Sequence, residues 1–539
     1  MTQFKVARWA AACAVHLLLV SPAWAEVDSG AVRAALVAWS EAQKPGREVE
    51  STPLDAPGVI AAFYAARDHK PVWTNEARTT SLLEAIARTP EHGLRPQDYH
   101  LPAIMALRSA DRDAGEAAQL DLLLTQAAAK LAAHLHYGKT DPRKFDRNWN
   151  ISAPVKQEDL LRLLGGVVAG GTPDGALEKM APQHWFYESL KTTLALQRQA
   201  VAKGGWGKVD GGETLKPGMD DPRVKGLRAR LKASGDYKGE ADGTVYDDEL
   251  VAAVKRFQEL HGIDPDGAIG KRTLAELNVT AEQRVDQVRV NLERARWVLN
   301  QLGDEFIVVN IPGFHLYIMK DGQPVWNTRV IVGKTYRQTP MFKSNMRTVV
   351  LNPTWTVPPT ILKQDLLPKI AKDPGYLASH NMKVVDSSGT ALPADAVDWQ
   401  AARKRFPYSL VQQPGPENSL GQVKFLFPNE HAVYLHDTPN RGLFNRADRA
   451  ASSGCIRVEN PMHLADYLLK DDKDWSKEKV EAALAAGKTQ NISLKRTIPV
   501  VLMYWTTQMD RDGTLHFFPD LYDRDPPVLR ALGRETAQL

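Results

Sequence analysis

One cysteine and one histidine frame the chemistry available to this sequence. In residues 434–460, YLHDTPNRGLFNRADRAASSGCIRVEN, Cys455 follows Ser452, Ser453 and Gly454 and precedes Ile456 and Arg457. A free thiol has a pKa near ~8.5 and needs a base or positive neighbours to attack at neutral pH. His436 stands 19 residues upstream, at the end of the β-textured run 432–435. A loop of that length can return and bring imidazole and thiol together. Gly454 lets the backbone turn sharply with no side chain in the path of an approaching carbonyl. The backbone N–H groups of Gly454 and Cys455 are the candidates for an oxyanion hole. Asn460 and Pro461 open a helix, Asn as the cap and Pro in the first turn. The thiol therefore lies about one turn ahead of a helix N-terminus, where the dipole favours a thiolate. His431, five residues before His436 on the same run, faces the opposite side and is the weaker base. Asp437 either orients the imidazole or serves only as a turn residue. Arg457 either holds a substrate carboxylate and supports the thiolate, or makes a surface ion pair.

The rest of the chain narrows what that pair can be. The 539 residues carry 68 Lys and Arg against 64 Asp and Glu, a balance that leaves no electrostatic footprint for nucleic acid. Hydrophobic residues make up 43% and charged residues 24%, the mix of folded domains rather than of disorder. At roughly 100–200 residues per domain the length implies about three. Lys5, Arg8, the apolar run 10–20 and Ala23-Trp24-Ala25 read as a secretory signal over residues 1–25, cleaved before Glu26. An uncleaved anchor is the alternative, although the run is short for a membrane span. Cleavage leaves 514 residues and takes Lys5 and Arg8 away, lowering the formal charge from +4 to +2. No later stretch reads as a membrane span. Of the two cysteines, Cys13 leaves with the signal and Cys455 stands alone. That excludes an internal disulfide and any multi-Cys metal site. Neither metal nor cofactor is expected.

Other elements must position the pair. Residues 26–203 read as helical, with Leu120, Leu123, Leu124, Ala127, Leu131 and Leu135 at helical spacing. A Gly-rich stretch over 204–212 reads as a linker. Residues 221–278 contain an internal echo, D-G-x-[VI]-x4-L, at Asp242 and again 24 residues later at Asp266. Each Asp-Gly suits a tight turn. Asp247 can cap a helix whose Leu250, Val254 and Phe257 share a face, so the segment reads as a compact three-helix module. After a helix carrying Val285, Val288 and Leu292, residues 305–520 turn β-rich, with a hairpin signal at Asp321-Gly322. Within them, residues 361–422 are polar and weakly patterned, an insertion that is either functional or mobile. Residues 523–539 read as a C-terminal tail. The fold class is multidomain α+β: a helical N-terminal region, a small three-helix module, and a β-rich domain with an insertion.

The pattern of a strand-end His, a loop, then [ST]-[HS]-G-C-[IV]-R falls on His436, Ser453, Gly454, Cys455, Ile456 and Arg457. It resembles the catalytic signature of the L,D-transpeptidases with a YkuD-type domain. Their common form has His before Gly-Cys; here Ser453 stands there, which leaves His436 as the only base of the motif. Phe257, Gln258, Gly262, Asp266, Gly267, Ile269, Gly270, Thr273 and Leu277 resemble the peptidoglycan-binding type 1 domain. The SSGC form, the insertion and the large N-terminal region are similar to the YcbB-type subfamily. There a helical scaffold, a peptidoglycan-binding domain and a catalytic domain with a capping subdomain follow in this order.

That resemblance implies a reaction. Cys455 would attack the bond between the third residue, a diamino acid, and the terminal D-Ala of a stem tetrapeptide. His436 would shuttle the proton, and the side-chain amine of a second stem would resolve the thioester into a 3→3 cross-link. The resemblance also implies acylation by carbapenems and a periplasmic location. Its partners would be peptidoglycan stem peptides and other enzymes of cell-wall synthesis, with no nucleic acid. Trp355 and Tyr434 join Arg457, Ser453 and Asn460 as substrate-cleft candidates, and residues 361–422 become a cap over the donor stem. Competing readings pass the acyl group elsewhere: to water, as an L,D-carboxypeptidase or cell-wall cysteine hydrolase, or to a lipoprotein. A further reading is a wall-binding protein with an inactive site. The order of His before Cys argues against papain-like wall hydrolases, in which Cys comes first.

Overall fold

A computed structural model describes residues 27–42, 57–373, 375–402 and 406–533; the signal-peptide reading of residues 1–25 lies outside them. The chain divides into two compact units. The first comprises the described residues up to Arg88 with Arg95–Ala133 and Lys156–Glu178; the second comprises Thr89–Leu94, His134–Val155 and the described residues from Lys179 onward. Among the described residues no helix is long and apolar enough to cross a membrane.

The first unit is helical. The Leu and Ala periodicity becomes the buried stripe of the helix Ala114–Tyr137, with Leu120, Leu124, Ala127 and Leu131 inside. The same helix buries a carboxylate. Asp121 accepts from the Tyr64 hydroxyl at 2.6 Å and from the Trp73 N–H at 2.7 Å, which offsets the cost of removing it from water.

In the second unit, the three helices Arg223–Ser234, Asp248–Leu260 and Lys271–Leu277 form the expected small module. Leu227, Leu231, Tyr246, Leu250, Val254, Phe257, Ile269 and Leu277 make its core. The Asp247 carboxylate accepts the Leu250 N–H at 3.0 Å, the cap that its position suggests. The next helix, Ala281–Val298, starts on a Thr280/Gln283 capping box and is buried almost throughout. Its Arg296 and Glu293, both fully buried, pair at 2.6 Å. Its Arg294 pairs with Asp525 at 2.5 Å, at the start of the helix Asp525–Leu532, so part of the segment read as a tail is folded onto the unit.

The β-rich region follows. Its strands are β1 Glu305–Asn310, β2 His315–Lys320, β3 Gln323–Gly333, β4 Phe342–Leu351, β5 Trp355–Thr356, β6 Met382–Val385, β7 Ala391–Leu392, β8 Ser409–Gln412, β9 Val423–Leu426, β10 Leu435–His436, β11 Ala450–Ser452, β12 Ile456–Val458, β13 Gln490–Met503, β14 Thr507–Met509 and β15 Leu515–Phe517. The main sheet runs β11-β3-β12-β10-β9-β4-β13-β1-β2, and β2 also pairs with β3, which closes it. It is mixed: β1–β13, β10–β12 and β3–β11 are parallel and the other neighbours antiparallel. The chain is multidomain α+β, helical first and β-rich after.

Two expectations change. The run 432–435 is not a strand; only Leu435 and His436 pair. Asn429 explains this, because its carboxamide accepts from the N–H groups of His431 and Val433 and donates to the carbonyls of Phe427 and Val433. That holds residues 429–433 in a turn, with Ala432 at φ +53°. His431 therefore lies off the strand, its ring centroid 5.1 Å from that of Phe342. The segment read as weakly patterned also folds compactly. β5, β8, β6 and β7 form a separate four-stranded sheet over a core of Val357, Leu362, Leu366, Ile370, Leu377, Val384 and Leu410. Its strands are too short and its apolar residues too scattered for either period to emerge.

Candidate active site

Strand register assembles the chemistry. His436 on β10 lies opposite Arg457 on parallel β12 and opposite Lys424 on antiparallel β9. Directly paired residues share a face, and the face recurs every second residue. Lys424, His436 and Arg457 therefore point to one side, and Tyr434 and Cys455, two residues earlier on their strands' extensions, join them. The hydrogen bonds agree. The Ile456 N–H donates to the Tyr434 carbonyl at 3.1 Å, and the Tyr434 hydroxyl and backbone N–H both bond the Cys455 sulfur.

His436 is 4% exposed. Its Nδ1 lies 2.5 Å from the Asp437 carbonyl oxygen. A carbonyl only accepts, so the ring proton sits on Nδ1 and Nε2 keeps the basic lone pair. Burial pushes the imidazole pKa down to about 3, helped by the positive charges of Arg457 and Lys424. Asp437 meets the imidazole through its backbone carbonyl. Its carboxylate instead accepts from Gln422 N–H at 2.9 Å and pairs with Arg441 at 2.7 Å.

Burial pushes the Cys455 thiol up, opposed by the two Tyr434 hydrogen bonds and by Lys424 and Arg457. Sγ lies 3.7 Å from the Ala432 carbonyl. With one pKa raised and the other lowered, the resting pair is a thiol and a neutral imidazole.

The loop around the thiol is held from several sides. The Ser452 hydroxyl donates to the Cys455 carbonyl at 2.6 Å and accepts the Gly454 N–H at 3.1 Å. Thr339 Oγ1 donates to the Gly454 carbonyl at 2.8 Å. Gly454 has φ +114°, outside the ordinary reach of a residue with a side chain. Of the two N–H groups considered for an oxyanion hole, that of Gly454 is engaged by Ser452. The Cys455 N–H has no partner among the described residues.

The softer candidates separate. Arg457 makes no ion pair among the described residues, and its buried Nε lacks a partner, so the surface-pair alternative fails. Burial lowers its pKa. Asn460 does not cap the helix Pro461–Leu469 with its side chain; Nδ2 instead donates to Thr328 Oγ1 on β3 at 3.3 Å. Ser453 is exposed and accepts from Arg337 at 2.8 Å. Arg337 also pairs with Asp365 and donates to Gln364 of the inserted segment, each at 2.5 Å. Trp355, half-buried on β5 against the inserted core, hydrogen-bonds the Tyr434 hydroxyl. A chain of contacts thus runs from insertion to thiol. Sequence reasoning missed Lys424, whose Nζ sits 3.9 Å from the Tyr434 ring centroid, as well as Thr339 and Arg337. Strand register makes Lys424 visible, whereas Thr339 and Arg337 reach the loop by side-chain hydrogen bonds from the connection between β3 and β4.

Comparisons with known proteins place three families along the chain. Residues 58–194 match the scaffold domain, residues 220–277 the peptidoglycan binding domain, and residues 304–481 the L,D-transpeptidase catalytic domain, YkuD. The chain is 41% identical over 222 residues to a protein of Haemophilus influenzae strain Rd provisionally named an L,D-transpeptidase; the match covers 41% of this chain and 45% of that protein. The chain thus spans about half the length of the curated relative it matches. A solved L,D-transpeptidase (residues 123–326) from Xylanimonas cellulosilytica aligns at 15% identity over 55% of this chain and 99% of that one, with TM-score 0.17. The Ldtfm–avibactam carbamoyl enzyme aligns at 13% identity over 58% and 98%, with TM-score 0.19. TM-scores this low carry no weight for the fold. The family matches do: the chain carries, in this order, a scaffold domain, a peptidoglycan-binding domain and an L,D-transpeptidase catalytic domain of the YkuD family.

Proposed function

We propose that this chain cross-links peptidoglycan by L,D-transpeptidation, with Cys455 as nucleophile and His436 as the proton shuttle. The observation that carries the reading is the register of β9, β10 and β12, which sets Lys424, Tyr434, His436, Cys455 and Arg457 on one face. The Cys455 sulfur attacks the carbonyl carbon of the third stem residue as His436 Nε2 takes the thiol proton. The Cys455 N–H receives the developing oxyanion. The carbon–nitrogen bond breaks, and the imidazolium returns the proton to the departing D-Ala amine. The acceptor's side-chain amine then attacks the thioester and gives its proton to His436. The thiolate leaves and is reprotonated. Lys424 and Arg457 favour the sulfur's anionic form during both steps and suit a donor carboxylate. The inserted segment acts as a cap: Trp355, packed on its core, touches Tyr434, its Asp365 and Gln364 hold Arg337, and closure keeps water from the thioester. Water, giving an L,D-carboxypeptidase, and a lipoprotein amine are the competing acceptors. The site of action is the periplasm, reached through the signal over residues 1–25, and carbapenems acylate Cys455.

The test incubates the purified protein with peptidoglycan tetrapeptide fragments beside a Cys455→Ala control and reads products by mass spectrometry. Cross-linked dimers lacking one D-Ala, absent from the control, support the proposal. Free tripeptide alone assigns hydrolysis, and no turnover in either sample overturns the enzymatic reading.

A further inference from the structure

Transfer of an acyl group between two stems brings both to one thiol, and the strand order gives that thiol two flanks. β3, β12, β10 and β9 are successive neighbours in the main sheet. Toward β10 and β9 lie His436 and Lys424, with Tyr434 ahead of β10. Toward β3, the antiparallel pairs Arg457–Ile331 and Val458–Val330, carried two residues on, set Cys455 opposite Gly333. The chain leaves β3 at Gly333. Residues 334–339 therefore border the thiol on the flank away from Lys424.

The backbone of this turn is pinned. The Lys334 N–H donates to the Ser452 carbonyl at 3.0 Å, and the Arg337 N–H to the Lys334 carbonyl at 2.9 Å. Thr339 Oγ1 accepts the Gly333 N–H at 2.9 Å while donating to Gly454. The buried Tyr522 hydroxyl donates to the Gly333 carbonyl at 2.6 Å and accepts the Thr339 N–H at 3.2 Å. A side chain at Gly333 would run into the Arg337 carbonyl. The inserted segment rests on both flanks, on Tyr434 through Trp355 and on Arg337 through Asp365 and Gln364. Yet the pinned turn presents two side chains that the scaffold does not engage. Tyr336 is 71% exposed, the most open of the large hydrophobic side chains among the described residues. Two cations flank its ring, Lys334 Nζ at 5.6 Å and the Arg337 guanidinium carbon at 5.8 Å from the centroid. Arg337 is committed to Asp365. Lys334 makes no ion pair among the described residues.

A rigid turn beside the nucleophile thus offers an aromatic face and an uncompensated ammonium. We propose that Lys334 and Tyr336 select the acceptor: the second stem lies against the Tyr336 ring, and Lys334 pairs with a free carboxylate on the carbon that carries the attacking amine. The assignment rests on the transpeptidase reading above. It complements the donor's placement, since Lys424 and Arg457 suit the donor carboxylate on the opposite flank. A diamino acid whose far end is itself an amino-acid group, as in diaminopimelate, offers both amine and carboxylate there. Lysine offers the amine alone. Lys334 therefore distinguishes the two, and Tyr336 serves both.

The test separates the two half-reactions in the full chain. Acylation of Cys455 by a carbapenem, read by intact mass, involves no acceptor. Transfer is read by mass spectrometry with an isotope-labelled donor tetrapeptide and unlabelled acceptor tripeptides, which have no D-Ala to lose and carry either diaminopimelate or lysine at the third position. Wild type should prefer the diaminopimelate acceptor. Lys334→Ala should reduce that preference by about two- to fivefold, the range of an exposed ion pair, and Lys334→Glu should reduce it further. Tyr336→Ala should raise the KM for both acceptors by about tenfold, with more donor released as free tripeptide. Carbapenem acylation of all three variants should stay at the wild-type rate. An unchanged preference in both Lys334 variants, or an unchanged acceptor KM in Tyr336→Ala, overturns the proposal. So does an equal loss of acylation and transfer, which would make the turn a support of the thiol, and so does a wild type that is acylated but passes the acyl group only to water. A wild type that neither reacts with the carbapenem nor processes the tetrapeptide overturns the transpeptidase reading itself, an outcome distinct from all the others.

Discussion

The peptidoglycan-binding module and the thiol loop both announce themselves by short signatures, yet they spend those residues differently. In the module the signature residues bond one another. Gln258 Nε2 reaches Asp266 at 2.9 Å, the Ala268 carbonyl at 3.0 Å and Thr273 at 3.2 Å, while its Oε1 accepts the Gly267 N–H at 2.8 Å. One side chain stitches the second Asp-Gly turn to two helices, so the motif specifies a fold. In the loop the signature divides. Ser452 and Gly454 hold backbone, whereas His436 Nε2 keeps its lone pair and the Cys455 sulfur makes only the weak bonds to Tyr434 and Ala432 that a thiol can make. The lesson is that a motif residue with all its hydrogen bonds made is structural, and one with a poised lone pair or thiol is the candidate for chemistry.

Mutation can break that contrast. The largest effect expected is from Cys455→Ala: no acyl adduct by intact mass and no cross-linked product, with the melting temperature close to wild type. A large loss of stability would place Cys455 with the structural residues. Next, His436→Ala should slow acylation by about 10²–10⁴-fold, the usual worth of a general base. Its pH profile sharpens the point. With the imidazole pKa pushed down to about 3, the basic form persists far below the ordinary histidine range, so the acid limb of kcat/KM should show no inflection near pH 6.5. An inflection there would mean that the ring is solvated when the enzyme works.

Smaller effects probe the support. Tyr434→Phe removes one of the hydrogen bonds that oppose the raised thiol pKa. The thiol should titrate higher, and acylation at neutral pH should fall by about tenfold, the equivalent of one pKa unit. Thiol titration by ultraviolet absorbance checks it. Gln258→Ala should cost about 1–3 kcal/mol by stranding buried partners, seen as early loss of hydrogen-exchange protection in residues 221–278. If those residues stay protected, the module's signature is not what holds it. Least local is acid stability. His184, His315 and His436 are depressed to about 4, 4 and 3, chiefly by burial. Between the unfolded value near ~6.5 and those pKa values the unfolded chain binds protons that the folded chain does not. Stability contributed by keeping them neutral is full above that value and is lost as pH falls through the window. The melting temperature should decline from pH 6.5 toward pH 4.

Much of this was legible in the chain. The three-helix module followed from the repeated Asp-Gly turn and one capped amphipathic helix, because its contacts are local. Cys455 and His436 stood out through the family signature around them rather than through their spacing, which alone is a weak signal. The partners around them were legible only in part: Tyr434, Arg457 and Asp437 were candidates, Lys424 and Arg337 were not. Lys424 reaches the thiol's neighbourhood by antiparallel pairing, Arg337 by a side chain spanning two segments, and Asp437 through its carbonyl, which every residue type shares. Asn429 turned an expected strand into a turn by side-chain bonds that no periodicity reports. The inserted segment hid its core in strands of two to four residues.

The insertion also departs and returns on one rung of the sheet, since Leu351 of β4 is paired with Val423 of β9. In polymer terms it is a hairpin loop of roughly seventy residues. Closing such a loop instead of a five-residue one costs only about 2 kcal/mol of chain entropy, because the penalty grows with the logarithm of length. The register that aligns His436 with Arg457 is blind to what hangs from that rung. Lengthening, shortening or exchanging the loop can therefore reshape the space above the thiol while the strands beneath keep their pairing.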